Sequence, residues 1–245
     1  MERTGDEAEL LIRAVRPTNA YEESMQRLLQ SIRLGVIPPG QRLPAERDLA
    51  GMLKVSRDTV REALSTLADA GYVISRRGRY GGTFVVDELP HGPLTGTAAV
   101  VTAEEVEDVS VLRRVLEIGA AREAAARDLT SVERSSLTQA LEACTSCPPD
   151  DHRRLDSRLH LLIAELSGSP SLVPLAANIR TRVNALLEAI PVLEPNIVHS
   201  TEQHTAIVTA ILAGRPEAAA EAMAEHIEGS AALLRGFLSD TVDDD

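Results

Sequence analysis

Residues Val55 to Leu64 read VSRDTVREAL, and how this stretch is read decides the fold of the first part of the chain. Ser56 is a residue type that caps helices, because its hydroxyl accepts from a backbone N–H that the first turn leaves without a partner. Behind it Val60, Leu64 and Leu67 recur at i, i+4 and i+7, the spacing of one apolar face, and Gly71 offers a stop after Ala70. Arg57 and Arg61 stand four residues apart, so they project from one line of that helix, beside the apolar stripe and toward solvent.

Upstream, LPAERDLAGML puts Pro44 at a first-turn position and Leu49, Met52 and Leu53 at helical spacing, leaving KV as the turn between two helices. An earlier helical pattern over Tyr21 to Arg33 is broken by GVIPPGQRL. Downstream, YVISRRGRYGGTFVV is two β-rich runs around a loop of Gly and Arg, which reads as a hairpin. Helix, helix, turn, helix, hairpin is the order of a winged helix-turn-helix, in which the helix after the turn enters the major groove and the hairpin tip reaches adjacent DNA.

An arginine in the first turn of such a helix can hold a guanine edge bidentately or clamp a phosphate. Arg57 is the expected base reader, with Thr59 assisting on base or phosphate. Arg47 and Arg61 suit phosphates, and Gly78 lets the hairpin backbone approach the duplex. The competing reading pairs Arg57 and Arg61 with Asp58 and Glu62 on a solvated face; the surrounding turn, cap, apolar repeat and basic hairpin favour DNA.

The charge distribution agrees. The net charge is -12, yet residues 1–88 hold 13 Lys+Arg against 13 Asp+Glu, while residues 89–245 hold 12 against 24. Residues 41–80 hold 8 basic to 5 acidic, with Arg76, Arg77 and Arg79 in one run. A local basic patch binds phosphate whatever the total.

The polar start, residues 1–19, and the acidic end, 240–245, read as tails. DELPHGPLTGTAA, from Asp87 to Ala99, gathers Pro, Gly and Thr without apolar period. The expected division is a DNA-binding domain over 20–87, a linker over 88–100 that includes a solvated His91, and a second domain over 101–239. Every segment of that second domain reads as helix. Thr102/Glu105 and Thr130/Glu133 have capping-box spacing, Pro149, Pro170 and Pro216 mark further starts, and LSGSP and LAGRP supply stops. About six helices are expected, two of them long, with no sheet.

Composition supports a mostly α class: 44% of residues are hydrophobic but only 2% aromatic, with no Trp, so the core must be Ala, Leu, Val and Ile. No run approaches the roughly 20 apolar residues of a membrane span, and the first residues lack a signal pattern, so a cytoplasmic location is expected. Cys144 and Cys147 in CTSC have no second pair and no βαβ context, and read as ordinary reduced thiols.

A second constellation lies in the acidic half. LDSRLHLLIAELSG puts Asp156 and His160 four apart, on one helix face where two side chains can converge on an ion. His204 and His226 each sit on a further helix beside residues suited to the bundle interior, so four donors from three helices could meet in the core. Imidazole with carboxylate suits a divalent ion, zinc first, with nickel, manganese or iron as alternatives. The competing reading is four unrelated residues. His152 falls on the Asp156/His160 line one turn earlier, and His199 lies off the face of His204; neither is chosen.

GQRLPAERDLAGMLKVSRDTVREALSTLADAGYV together with RRGRYGGTFV resembles the winged-helix domain of GntR-family bacterial transcription regulators, over about residues 20–86. The resemblance implies a homodimer on a short palindromic operator, with DNA contacts at Arg47, Ser56, Arg57, Thr59, Arg61 and Gly78. Asp58 departs from the small or neutral residue common in the family, and an acid there suits a cytosine amino group. The helical half, over about 103–238, resembles the FCD effector domain of the FadR-like subgroup, on the segments LRRVLEIGAAREAA, DSRLHLLIAELSGSP and EQHTAIVTAILAGRPEAAAEAM. That resemblance implies metal ligands at Asp156, His160, His204 and His226, a small organic acid bound above the metal, and an arginine for the acid at Arg113, with Arg114 as its rival. Leu159 stands where the family carries Phe, a change expected to alter pocket shape.

The expected function is therefore an acid-responsive transcription regulator, a repressor in the usual case. One alternative is a regulator whose metal is purely structural or whose pocket holds none. The other is a metal-dependent hydrolase using Glu165 or Glu202 as base, which lacks a recognised spacing and leaves the DNA-reading head without a role.

Overall fold

The computed structural model describes residues 20–78, 81–90, 102–188 and 194–240. The first part contains α1 (Ala20–Arg33), α2 (Glu46–Leu53), α3 (Arg57–Asp69), β1 (Val73–Arg76) and β2 (Gly82–Val85). The second contains α4 (Ala103–Ala126), α5 (Ser131–Thr145), α6 (Pro149–Leu166), α7 (Leu172–Glu188), α8 (Glu194–Leu212) and α9 (Pro216–Asp240). The molecule is mostly helical, a helix-turn-helix with a two-stranded wing followed by a helical bundle.

Ser56 caps α3 as its residue type dictates, its Oγ accepting from the Thr59 N–H at 3.0 Å. The turn before it is closed by Lys54, which takes a left-handed conformation (φ 57°) while its N–H bonds to the Ala50 carbonyl. Val60, Leu64 and Leu67 are buried against Leu28 and Ile32 of α1, Leu49 of α2, and Tyr72, Val73 and Val85 of the hairpin. Two details differ from the sequence pattern. Pro44 precedes α2 rather than opening it, and Met52 is 71% exposed while Ala50 takes the buried position. An eight-residue helix covers little more than two turns, so Leu49 and Ala50 suffice to seat it.

The wing is antiparallel, pairing Val73 with Val85 and Arg76 with Gly82. The segment before α2 adds to it through an Arg42–Phe84 bridge and the Leu43 N–H bonding to the Thr83 carbonyl at 2.9 Å. Gly78 has φ +105° with open space where a Cβ would stand.

In the bundle, α4 touches α6, α7, α8 and α9. A helix contacted from several sides cannot carry a single apolar stripe. Its C-terminal half solves this with Ala120, Ala121, Ala124 and Ala125, small enough for Leu137, Leu159, Ile163, Ile207, Ile211 and Met223 to close around them. Leu159 belongs to this core rather than to the cavity described below, so the expectation that it reshapes the pocket directly is corrected. The caps at Thr102 and Thr130 form, the second as a full reciprocal box with Glu133. Pro149 and Pro216 open α6 and α9, whereas α7 begins at Leu172, two residues after Pro170. The six helices include two long ones, α4 with 24 residues and α9 with 25.

The two parts touch along α1 and α7. Gln30 donates to Asn178 at 3.2 Å and to Thr181 at 2.9 Å, and Arg33 pairs with Glu188 at 3.1 Å. Leu34, just past α1, is buried among Leu161, Ala164 and Ala176. His91, most of the expected linker, the first tail and all of the second but Asp240 lie outside the described residues, as does Arg79. No helix among the described residues is long and apolar enough to cross a membrane.

Candidate metal centre and nucleic-acid interface

Asp156 and His160 project from α6, one turn apart, and meet His204 of α8 and His226 of α9. One ligand atom from each lies within 4.8 Å of all the others, and all four residues are buried. The His160–His204, His160–His226 and His204–His226 ring centroids are 5.5, 5.1 and 4.6 Å apart. The competing reading of four unrelated residues fails on this geometry.

Each ring has an outer neighbour at Nδ1. For His160 it is Glu117 Oε1 at 3.5 Å, for His204 Cys144 Sγ at 3.8 Å, and for His226 Gln203 Oε1 at 3.1 Å. Metal-binding histidines are commonly oriented by such partners, which leave Nε2 for the ion. The Nε2 atoms of His160 and His204 stand 3.7 and 3.0 Å from Asp156 Oδ1. Neither makes a directed hydrogen bond, although both are buried. Buried polar atoms without partners are costly, and a cation coordinated by the imidazoles and the carboxylate would satisfy them. The donor set therefore fits a divalent metal held by Asp156, His160, His204 and His226.

The electrostatics point the same way. Burial opposes ionisation of Asp156, but the Arg180 guanidinium beside it, with His160 and His204, holds its carboxyl well below the usual carboxylate range. Burial, reinforced by Arg180, pushes His160 well below the ordinary histidine value; burial and then His204 do the same to His226. An ionised carboxylate with neutral imidazoles is the protonation state that metal binding requires. Burial drives the Cys144 thiol far up, and both cysteines are free thiols.

A cavity of about 130 Å³ opens beside the cluster, roughly tenfold what one water needs on the same measure. Arg113, Asp156, Arg180, His226 and Ser230 line its polar end; Val183, Leu187, Ile197 and Leu233 supply an apolar side. Arg113 is buried, bonding Glu117 at 2.8 Å and Ser230 at 2.5 Å, whereas Arg114 is half-buried and pairs with Glu107 at 2.8 Å. Of the two arginines, Arg113 lines the cavity and Arg114 does not.

Three residues at the site escape sequence reasoning. Arg180 is 1% exposed and bonds Asp156, with Glu117 Oε1 3.8 Å away. Glu117 joins Arg113 to His160. Both sit in helices where a charged residue ordinarily faces water, and nothing local marks them. His152, set aside above, is buried, lines the cavity and lies 6.5 Å from the His204 ring; its i, i+4 relation to Asp156 was the available signal. His199 lines the cavity from an exposed position. The hydrolase candidates are poorly placed: Glu165 is engaged by Arg158 at 3.1 Å, Glu202 is 74% exposed beside His199, and neither lines the cavity.

On the head, Arg57 is exposed and Thr59 half-buried in the first turn of α3. Arg57 makes no ion pair or side-chain hydrogen bond among the described residues, which leaves its guanidinium available. Arg61, by contrast, is tied to Asp58 at 3.0 Å and Glu46 at 3.3 Å, and Arg47 to Asp48 at 3.2 Å. Arg61 thus takes the Asp58 partner of the solvated-face reading, with Glu46 rather than Glu62 as its second, and these exposed pairs are cheap for a phosphate to displace. The pairing also offsets the charge of Asp58. Arg76, at the loop end of β1, lies 4.7 Å over the Phe84 ring.

A winged helix-turn-helix joined to a helical bundle is the architecture of a DNA-binding transcription regulator, and comparison with known proteins places the chain in that class. Residues 20–85 match the bacterial regulatory proteins of the gntR family and residues 108–229 match the FCD domain, so the chain belongs to the GntR family and carries an FCD domain. It is 30% identical over 236 residues to an Escherichia coli (strain K12) protein named for regulation of the L-lactate dehydrogenase operon, covering 92% of this chain and 90% of that one. It is 27% identical over 220 residues to the HTH-type transcriptional regulator LutR of Bacillus subtilis (strain 168), covering 86% of this chain and 99% of LutR. The solved structure of E. coli McbR/YncC shares the fold, with a TM-score of 0.56 at 19% identity over 90% of this chain and 99% of that one. The relatives are transcriptional regulators rather than enzymes, and this chain is a DNA-binding regulator of that kind.

Proposed function

We propose that the chain is a cytoplasmic, metal-loaded regulator that binds a short palindromic operator as a homodimer and changes its operator affinity when a small organic acid enters the cavity. The observation that carries this reading is the buried Asp156, His160, His204 and His226 cluster opening on a cavity that Arg113 also lines. A carboxylate has two attractions there, the metal that the four residues would hold and the Arg113 guanidinium, and the apolar side receives the body of the acid. Zinc suits the donor set best; nickel, manganese and iron are the alternatives that elemental analysis separates.

In this reading residues 20–87 form the DNA-binding domain and 101–239 the effector and dimerisation domain. Arg57 reads a base edge, Ser56 and Thr59 support it, Arg47 and Arg61 hold phosphates, and Gly78 admits the wing to the backbone. The acid acts by population shift: it binds the DNA-incompetent arrangement more tightly, and the operator weakens acid binding by the same factor. Repression is the expected sign.

The test is an operator titration of the zinc-loaded full chain with acetate, L-lactate, succinate and citrate, using acetamide as the uncharged control. Operator affinity that moves with at least one acid and not with acetamide supports the switch. Affinity unmoved by any acid and by metal removal overturns it. A purely structural metal is the second reading, favoured by the way the four donors tie together α6, α8 and α9 in the core. There chelation lowers the melting temperature and no acid has any effect.

A further inference from the structure

Arg113, Glu117, Asp156 and Arg180 are all buried, and their formal charges cancel. Arg180 bridges the two anions, bonding Asp156 Oδ2 and lying 3.8 Å from Glu117 Oε1, while Arg113 bonds Glu117 at 2.8 Å. With the imidazoles neutral, as ligation requires, the site is balanced before any ion enters. A divalent cation adds two positive charges to a buried region, where uncompensated charge is expensive. It must also share Asp156, its one anionic ligand, with the Arg180 guanidinium. Arg180 therefore opposes the cation twice, by occupying the carboxylate and by like-charge repulsion. An anion entering the cavity, which Asp156, Arg180 and Arg113 all line, relieves both effects.

We propose that Arg180 is an internal counter-cation that competes with the metal for Asp156, so that cation and acid enter the site as a coupled pair. This assigns to Arg180 a positioning and regulatory role distinct from packing, and it rests on the acid reading given above. By linkage the coupling is reciprocal: the acid tightens the metal by the factor with which the metal tightens the acid.

The experiment measures zinc affinity of the full chain by competition with a chromophoric chelator at fixed pH and ionic strength, with and without saturating acetate or L-lactate, and with acetamide as control. For the wild type, a carboxylate tightens zinc at least about fivefold, the lower end of ordinary coupling, and acetamide does not. Arg180→Gln binds zinc at least about fivefold more tightly without acid and loses most of the acid's effect. Its metal-free form melts lower, and zinc raises its melting temperature more than it raises that of the wild type. Arg180→Lys, which keeps the charge, stays nearer the wild type in zinc affinity than Arg180→Gln does. A merely structural Arg180 would lower stability with and without zinc and leave zinc affinity unchanged or weaker, and that result overturns the competition. If Arg180→Gln fails to fold by circular dichroism, the wild-type comparison decides: zinc affinity indifferent to a bound carboxylate overturns the coupling. Acid that binds while zinc affinity stays fixed overturns the coupling alone, whereas acid that never binds the zinc-loaded chain overturns it together with the proposed acid response.

Discussion

Thr181 Oγ1 accepts a hydrogen bond from Gln30 Nε2 at 2.9 Å, joining α7 of the bundle to α1 of the DNA-reading head. The preceding residue on α7, Arg180, bonds Asp156 inside the metal cluster. One helix thus presents adjacent residues to the site and to the head, and Leu34 reinforces the seam from the other side. A helix with both contacts is the place to test the proposed acid response for coupling between site and head.

Leu34→Ala tests that route. Leu34 is buried among Leu161, Ala164 and Ala176, and truncating a well-packed core leucine costs about 2–5 kcal/mol. The expected outcome is a lower melting temperature and a smaller acid-dependent change in operator affinity, with acid affinity itself little altered. Calorimetry and operator anisotropy measure these; full acid response in the variant would remove the seam from the mechanism.

On the head, Arg57→Ala is expected to cost about 1–3 kcal/mol of operator binding and to relax preference at one base pair. Arg47→Ala weakens specific and nonspecific binding alike and lowers the salt slope by about 1. Ser56→Ala loses the α3 cap bond to Thr59 and about 1 kcal/mol of stability. Binding isotherms at several salt concentrations across a set of mutated operators separate the three.

Asp156→Asn removes the nearer of the two anions that face Arg180 and leaves it only Glu117 at 3.8 Å, a loss of about 3–5 kcal/mol in the metal-free protein. His204→Ala removes a ligand without that charge penalty. A chelator is expected to lower the melting temperature of the wild type and leave His204→Ala unmoved. Equal chelator sensitivity in both proteins would show that the ion sits elsewhere.

Acid should destabilise the metal-free protein in two stages. His160 and His226 are held below the ordinary histidine value, so the unfolded chain binds their protons first; their contribution is complete above about pH 6.5 and is lost as pH falls below it. Asp156 is also lowered, so its contribution is present above about pH 4 and is lost as pH falls further. Melting curves of the chelated protein between neutral pH and pH 4 check the first stage, and a melting temperature that rises on acidification to pH 5 contradicts it.

The sequence by itself determined what each turn of chain can do locally. The caps at Ser56 and Thr102, the box at Thr130, the hairpin around Gly78 and the shared face of Asp156 and His160 all depend on residues within a few positions of one another, where dihedral preferences and helical spacing decide the outcome. Only the tertiary structure decided which helix faces meet. Periodicity says which residues share a line and not which lines are opposed. For that reason Arg180 and Glu117 carry no local mark, Met52 reads as core, and Arg113 and Arg114 cannot be told apart until α4 is enclosed by its neighbours. The burial of two arginines and two acids is stable only because each finds its opposite on another turn or another helix, a pairing in space that no local pattern encodes.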